Sequence, residues 1–336
     1  MASADPARLT PAREGEEGGQ PCLLVNPRSF RASRGSLAAR AAQLARGAGL
    51  QVYEVFDPPS LAAMLDRLRQ RGQQQIWLLA GDGTIHAIAE YLAARPADPW
   101  SPLLLPLAGG RANVVPRECG GYPALPALRR ALAAHARGQS LVEGSLVTTS
   151  VSQAGAPTRH GFLLAGGVVH DAVQLCSVHR AAGTGWLHRS WFADPFVLLK
   201  IAVQSWFGRS PLPPYTELAI RMDGAAPFRA RMRLLLASTL ALRAALYNPF
   251  AERGQGPLRL TAATATAARF WRNFPAMLQG RFDHRMDQQH GYLSGRCSRA
   301  EVVGIARYAL DGESFAADPA LPLRIEPGIA LRVLFP

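Results

Sequence analysis

Lysine is all but missing from this chain. Lys200 is the single one, so the net charge of +13 over 336 residues rests on arginine. A charge of that size first suggests nucleic acid, but a nucleic-acid surface needs its arginines clustered on one face or stripe. Here they are scattered among abundant alanine, which fits a compositional bias and argues against a nucleic-acid partner. Anionic membrane surfaces and phosphorylated substrates suit such a charge better. Cysteine is scarce as well. Cys22, Cys119, Cys176 and Cys297 form no C-x-x-C pair, so free thiols in a reducing, cytoplasmic setting are expected. No run of eighteen uncharged apolar residues exists, which argues against a spanning helix. The first twenty residues lack an apolar stretch and read as a disordered tail, not a secretory signal. Also absent are G-x-x-x-x-G-K-[ST] and, after the first strand, G-x-G-x-x-G. The first absence excludes a P-loop and the second leaves a dinucleotide fold poorly supported.

What is present alternates. Pro21–Val25 reads as a strand, Ser36–Ala48 as a helix and Leu50–Phe56 as a second strand. Asp57-Pro58-Pro59-Ser60 caps a helix running to about Arg71. Gln75–Ala80 is a short apolar run suited to a strand buried on both faces. A helix follows from near Thr84, with Ile85, Ile88, Ala89 and Leu92 at helical spacing. Leu103–Leu105 is a fourth strand, and Leu125–Arg137 a further helix. Strands alternating with helices predict βαβ units and a parallel sheet covered on both faces.

From about Leu141 the texture changes to short strands: Leu141–Val151, Gly161–Leu164, Glu217–Met222, Arg229–Leu236, Leu258–Thr264 and Glu301–Leu310. Turn residues such as Asp223-Gly224 and Asp311-Gly312 separate them, the pattern of an antiparallel sandwich. The expected organisation is a tail (1–20), an α/β nucleotide-binding domain (21–138) and a β-sandwich substrate domain (139–336). The basic-apolar end, Leu323–Leu334, can pack back on the first domain. Trp186–Gly208 is apolar and aromatic, and reads either as a helix packed on the sandwich or as a wall for an apolar substrate or bilayer.

Three strand-end loops carry the chemistry. They are Asn26-Pro27-Arg28-Ser29, Gly81-Asp82-Gly83-Thr84 and Gly109-Gly110-Arg111-Ala112-Asn113. In a parallel sheet all three fall on the carboxyl edge, where such sheets bind ligands. Gly81 and Gly83 allow an anion close to the backbone, with the first N–H groups of the helix aimed at it. Asp82 is at odds with that setting, because a carboxylate beside phosphate needs a cation or a proton-transfer role.

The order and spacing of these loops, with Asp311-Gly312-Glu313 near the end, resemble the diacylglycerol kinase catalytic domain family. That superfamily includes bacterial lipid kinases, sphingosine and ceramide kinases and, more distantly, NAD kinases. The resemblance implies an N-terminal NAD-kinase/diacylglycerol-kinase-like α/β domain, a C-terminal antiparallel β-sandwich and a nucleotide in the interdomain cleft. It implies ATP held by Asn26, Pro27, Ser29, Gly81, Gly83, Thr84, Gly109, Gly110, Arg111 and Asn113, with Asp171, Asp311 and Gly312 also contributing. Asp82 and Glu313 become the paired catalytic carboxylates, one taking the lipid hydroxyl proton and the other engaging Mg2+. Which does which stays open, and no metal ligand set is assigned. The implied activity is phosphorylation of a hydroxyl on a diacylglycerol- or sphingosine-like lipid. The implied setting is a cytoplasmic protein peripherally bound to membrane, for which a homodimer is allowed.

Departures from the family pattern run alongside. Arg111 stands where threonine is usual, Val114 for aspartate, Ala87 for glutamate and Phe30 for a small residue. Gly256-Pro257 replaces an Asp-Gly, which speaks against a structural metal there. These departures support a second reading, a catalytically degenerate nucleotide- or lipid-binding regulatory protein. NAD kinase is a third, disfavoured by the aromatic 186–208 segment.

Overall fold

A computed structural model describes residues 10–11, 20–167, 215–242 and 247–336. The chain divides into two compact units. The first comprises Met1–Thr148, Leu240–Leu246 and Ile329–Pro336, and the second Thr149–Thr239 and Tyr247–Gly328. The segments holding Asp171 and Trp186–Gly208 lie outside the described residues.

In the first unit a two-residue strand, β1 (Thr10–Pro11), pairs antiparallel with the start of β6 (Val142–Ser152). The alternating part is β2 (Cys22–Val25), α1 (Leu37–Gly47), β3 (Gln51–Glu54), α2 (Pro58–Gln70), β4 (Gln75–Ala80) and α3 (Asp82–Ala93). It continues through β5 (Leu103–Ala108), α4 (Val114–Glu118) and α5 (Ala124–Ala136). Strands β3, β2, β4 and β5 lie side by side and parallel, as the alternation of strands and helices predicts. The last strand of the chain, β16 (Leu323–Phe335), adds its C-terminal part parallel to β5, with Val333 opposite Leu104.

Residue parity explains the two covered faces. Leu23, Val25, Trp77, Leu79, Leu103, Leu105 and Leu107 pack with Ala41 and Ala45 of α1 and with Ala127, Leu128 and Ala131 of α5. Their alternates Leu24, Ile76, Leu78 and Leu104 are equally buried on the opposite face. Helices α2 and α3 pack on each other and bury Leu61, Leu65, Leu68, Ile85 and Ile88. The start of α2 follows the sequence closely. Asp57 accepts from the Ser60 N–H while the Ser60 hydroxyl takes the Asp57 N–H, a reciprocal cap with prolines at the first helical positions.

The second unit is strand-rich and antiparallel. Its strands are β7 (Arg159–Gly161), β8 (Leu163–Gly166), β9 (Thr216–Met222), β10 (Phe228–Ser238), β11 (Leu258–Thr264) and β12 (Tyr292–Cys297). β13 (Ala300–Val303), β14 (Arg307–Leu310) and β15 (Glu313–Ala316) follow. β10 organises them, pairing with β9 along its first half, β8 along its second and β11 on a third register. The run Glu301–Leu310, expected as one strand, is two. Gly304 at φ 96° breaks it, a conformation L-residues avoid. Likewise Gly161–Leu164 divides between β7 and β8. A helix, α6 (Phe270–Met277), and strand β12 have no counterpart in the sequence reading. The core contains Leu164, Leu218, Ile220, Met232, Leu235, Leu260, Val302, Leu310 and Ile325. Among the described residues no helix is long and apolar enough to cross a membrane.

Candidate functional site

The three loops of the first unit are tied to one another by side-chain to backbone bonds. Where β2 ends, the Asn26 N–H donates to the Leu79 carbonyl at 3.0 Å, setting that loop beside the end of β4. The Asn26 amide nitrogen then donates to the Thr84 hydroxyl at 3.1 Å, while its oxygen accepts from the Arg28 N–H at 3.0 Å. The Ser29 hydroxyl accepts from the Gly81 N–H at 3.1 Å. The first and second loops are therefore one piece. Pro27, half-buried, shapes the same turn.

The third loop joins through close backbone approach. Gly109 donates to the Ala80 carbonyl at 2.9 Å and accepts from Arg31 at 2.7 Å and from Ala32 at 3.1 Å. A Cβ on Gly110 would lie 2.5 Å from the Gly81 Cα, and one on Gly109 would lie 2.8 Å from the Ala80 nitrogen. Side chains at either position cannot be accommodated without moving backbone. Asn113 is fully buried in the left-handed region, φ 52°. Its side chain accepts from the Gly110 N–H at 2.8 Å and donates to the Gly110 carbonyl at 2.9 Å. An asparagine is suited to both demands, because it tolerates that conformation and carries a donor and an acceptor.

Helix α3 begins at Asp82, two residues before the Thr84 start expected from sequence, with Gly81 as N-cap in an extended conformation. Asp82 is thus the first helical residue, where the helix dipole favours a carboxylate. Its Oδ1 also accepts from the Val115 N–H at 3.1 Å, which fixes it against the start of α4. Gly83 is exposed, and a Cβ there would meet nothing within 4 Å among the described residues. Gly83 brings no side chain to the first turn of α3, and a helix N-terminus suits an anion, so the residues present fit a nucleotide phosphate.

One bond missing from the sequence reading is the Asp82–Val115 contact, since a backbone donor leaves no mark on residue identity. A second omission is a stack. The Arg111 guanidinium carbon sits 3.9 Å from the Phe30 ring centroid, and that of Arg34 also 3.9 Å. Phe30 and Arg111 each departed from the family pattern, but nothing in the sequence joined them.

In the second unit Asp311 and Gly312 form the two-residue turn between β14 and β15, at φ 51° and 91°. Both left-handed values suit the hairpin turn that Asp-Gly favours. The Asp311 carboxylate accepts from the Phe162 N–H at 2.9 Å and the Leu163 N–H at 2.9 Å, while its own N–H donates to the Leu163 carbonyl at 2.9 Å. Its observed bonds hold the hairpin to the start of β8. Glu313 opens β15, opposite Leu310, and is exposed. Asp82 and Glu313 belong to different units. Asp171 lies outside the described residues.

Other polar groups are structural. His86 is buried on α3. Arg259, buried, pairs with Glu252, and Arg296 reaches the same carboxylate at 3.9 Å. This ion pair lies close in sequence to Gly256-Pro257. Among the described residues no group of three or more His, Cys, Asp or Glu side chains is arranged to hold a metal ion.

With this geometry in hand, comparison with known proteins gives a consistent result. Residues 20–142 match the family model of the diacylglycerol kinase catalytic domain. Among solved structures, the fold is similar to that of a candidate diacylglycerol kinase from Bacillus anthracis str. Sterne. That likeness has a TM-score of 0.61 at 12% identity, over 94% of this chain and 97% of the other. Another diacylglycerol kinase structure from the same organism aligns over the same shares, at a TM-score of 0.58 and 12% identity. At such identity the likeness speaks for the fold. No curated protein sequence matches this chain at a significant level. Residues 20–142 are thus similar to the diacylglycerol kinase catalytic domain, the family that the Asn26, Gly81 and Gly110 loops resemble.

Proposed function

We propose that the protein is an ATP- and magnesium-dependent lipid kinase that phosphorylates a hydroxyl of a diacylglycerol- or sphingosine-like lipid. It would act in the cytoplasm, peripherally attached to a membrane. The observation that carries this reading is the knitting of three loops around Gly81–Thr84, through Asn26–Thr84, Ser29–Gly81, Asn113–Gly110 and Asp82–Val115, inside a segment that matches the catalytic-domain family.

Phosphoryl transfer asks little covalent chemistry of a protein. It asks for a positioned phosphate, stabilised charge and a base. In this reading Gly81, Gly83 and Thr84 at the α3 N-terminus receive the phosphates, and Asn26 and Ser29 hold that loop in shape. The acceptor hydroxyl oxygen forms the new bond to the γ-phosphorus as the bond to the β-phosphate oxygen breaks, and ADP leaves. The hydroxyl proton passes to a carboxylate, for which Asp82 and Glu313 are the proposed candidates. The remaining carboxylate would hold magnesium, which would supply the spreading of phosphate charge.

Supporting the lipid acceptor are the family segment and the apolar composition of Trp186–Gly208. The test is transfer from labelled ATP, with magnesium, to a panel of lipids in vesicles, with NAD as a polar control acceptor. A labelled lipid is expected, and its loss in both Asp82→Asn and Glu313→Gln supports the site. Unchanged transfer in both overturns the site. Nucleotide binding with no labelled acceptor favours instead a regulatory binding protein of the same fold, a reading that Arg111 in the threonine position supports.

A further inference from the structure

We infer that helix α6 and the loop after it are the surface by which the second unit meets an anionic lipid bilayer. Trp271 and Phe274 lie at headgroup level, with Arg269, Arg272, Arg281 and Arg285 around them. This inference rests on the membrane attachment proposed above and assigns it a place. On α6, Phe270 and Met277 are buried and pack with Leu234, Ala263 and Tyr292. Trp271 and Phe274 cover the edge of that cluster and stay half-buried, while Arg272 and Pro275 face solvent. The Trp271 ring lies 5.1 Å from that of Phe270 and 5.9 Å from that of Phe274, so aromatic surface continues from the core to the rim. The Trp271 indole N–H is not buried and has no hydrogen-bond partner among the described residues, whereas that of Trp100 donates to the Gln73 carbonyl. An indole with its body on apolar neighbours and its N–H open suits the headgroup zone of a bilayer.

Charge supplies the second argument. From Ala268 to His290 the chain holds four arginines against two aspartates. Both aspartates are engaged locally. Asp283 accepts from the Arg285 N–H at 2.8 Å, and Asp287 holds the His290 N–H at 3.0 Å and its ring at 2.8 Å. All four arginines are exposed. Arg269, Arg272 and Arg285 have no side-chain partner among the described residues, and Arg281 bonds the neutral Gln279. The outer sheet face of the same unit differs. There Glu301 stands between Arg221 and Arg324, 3.7 Å from each, and no aromatic ring lies among them. Unpaired arginines beside half-exposed Trp and Phe are the composition of a helix that lies in a bilayer interface, where anionic lipids complement the cations and the rings enter the acyl boundary. At eight residues α6 can lie on such a surface but cannot cross it.

The experiment is co-sedimentation of the full-length protein with vesicles of phosphatidylcholine alone and of equal parts phosphatidylcholine and phosphatidylglycerol. Wild type is compared with the triple variant Arg269→Glu, Arg272→Glu, Arg285→Glu. A control triple of equal charge change, Arg40→Glu, Arg46→Glu, Arg129→Glu, uses exposed positions on α1 and α5. Melting temperatures check that each variant folds. Wild type should bind the anionic vesicles and not the neutral ones. The α6 triple should weaken that binding about a hundredfold, and the control no more than about threefold. With brominated acyl chains wild-type tryptophan fluorescence should be quenched, and Trp271→Phe, which keeps a ring in the cluster, should remove part of the quenching. An α6 triple that binds like wild type, or equal losses in the two triples, overturns the surface. Quenching that Trp271→Phe leaves unchanged also overturns it and moves the contact to another tryptophan. Wild type that binds no vesicle sinks the membrane attachment and the surface together. Wild type that binds through α6 but labels no lipid in the transfer assay sinks the kinase reading and leaves the surface standing.

Discussion

The Asp82 carboxylate accepts the Val115 N–H at 3.1 Å, so the acid at the start of α3 also pins the start of α4. The bond gives this side chain a structural role beside the chemical one proposed for it, and two substitutions separate them. Asp82→Asn keeps an oxygen for Val115 and should fold as wild type. Lipid phosphorylation should fall at least about a hundredfold, the scale of a lost general base. Asp82→Ala removes the backbone bond too and should also lower the melting temperature. Thermal melts alongside the transfer assay check both.

Gly83 offers a cleaner separation. Among the described residues no atom beyond its chain neighbours and its own helix backbone lies within 4 Å of its would-be Cβ, and its φ is not left-handed. Gly83→Ala should therefore stabilise α3, by up to about 1 kcal/mol in chemical denaturation. If phosphate approaches here, the same methyl group should weaken ATP binding. Gly110→Ala is the contrasting case, because its methyl group meets the Gly81 backbone, and stability should drop by about 1–3 kcal/mol.

The late Asp-Gly-Glu divides into parts with different expected behaviour. Asp311 accepts two backbone N–H bonds, so Asp311→Ala should destabilise the second unit by about 1–3 kcal/mol. Glu313 is exposed, and Glu313→Gln should leave the urea midpoint unmoved while reducing transfer to lipid. Equal losses of stability in the two variants would contradict this division.

Much of this was legible in the residues, and the exceptions have physical causes. The α2 cap was readable because Asp57, two prolines and Ser60 each serve a local bond. Strand β4 matched from end to end because burial on both faces makes a strand uniformly apolar. Helix α6 was not readable, since Phe270, Trp271, Phe274 and Pro275 look like turn and core residues, and its aromatic side packs on Tyr292 from a strand itself unread. The Phe30–Arg111 stack was out of reach for another reason. It joins residues from different loops, and sequence spacing carries no information about such a meeting.

Three thiols provide a chemical probe of the core. Burial pushes Cys22 and Cys297 up to about 12, and Cys119 is raised as well, again mainly by burial. A thiol raised above its unfolded value stabilises the fold below pH 9, and that contribution is lost as pH rises from about 9 toward 12. Iodoacetamide at pH 8.5 should label the peptides holding these residues slowly in the native protein and rapidly in urea. Mass spectrometry of the digests reads the difference, and fast native labelling would contradict the burial.

The pairing of β16 with β5 has a consequence for how this protein can be made. All six residues of β5 are buried, and one of its edges is closed by the final stretch of the chain, with Val333 against Leu104. A fragment cut at residue 142, as the family match would suggest, leaves an apolar strand edge open to pairing with other copies. On the ribosome the same edge waits. The segment that matches the family model emerges early, but its sheet can close only after almost two hundred further residues have been synthesised.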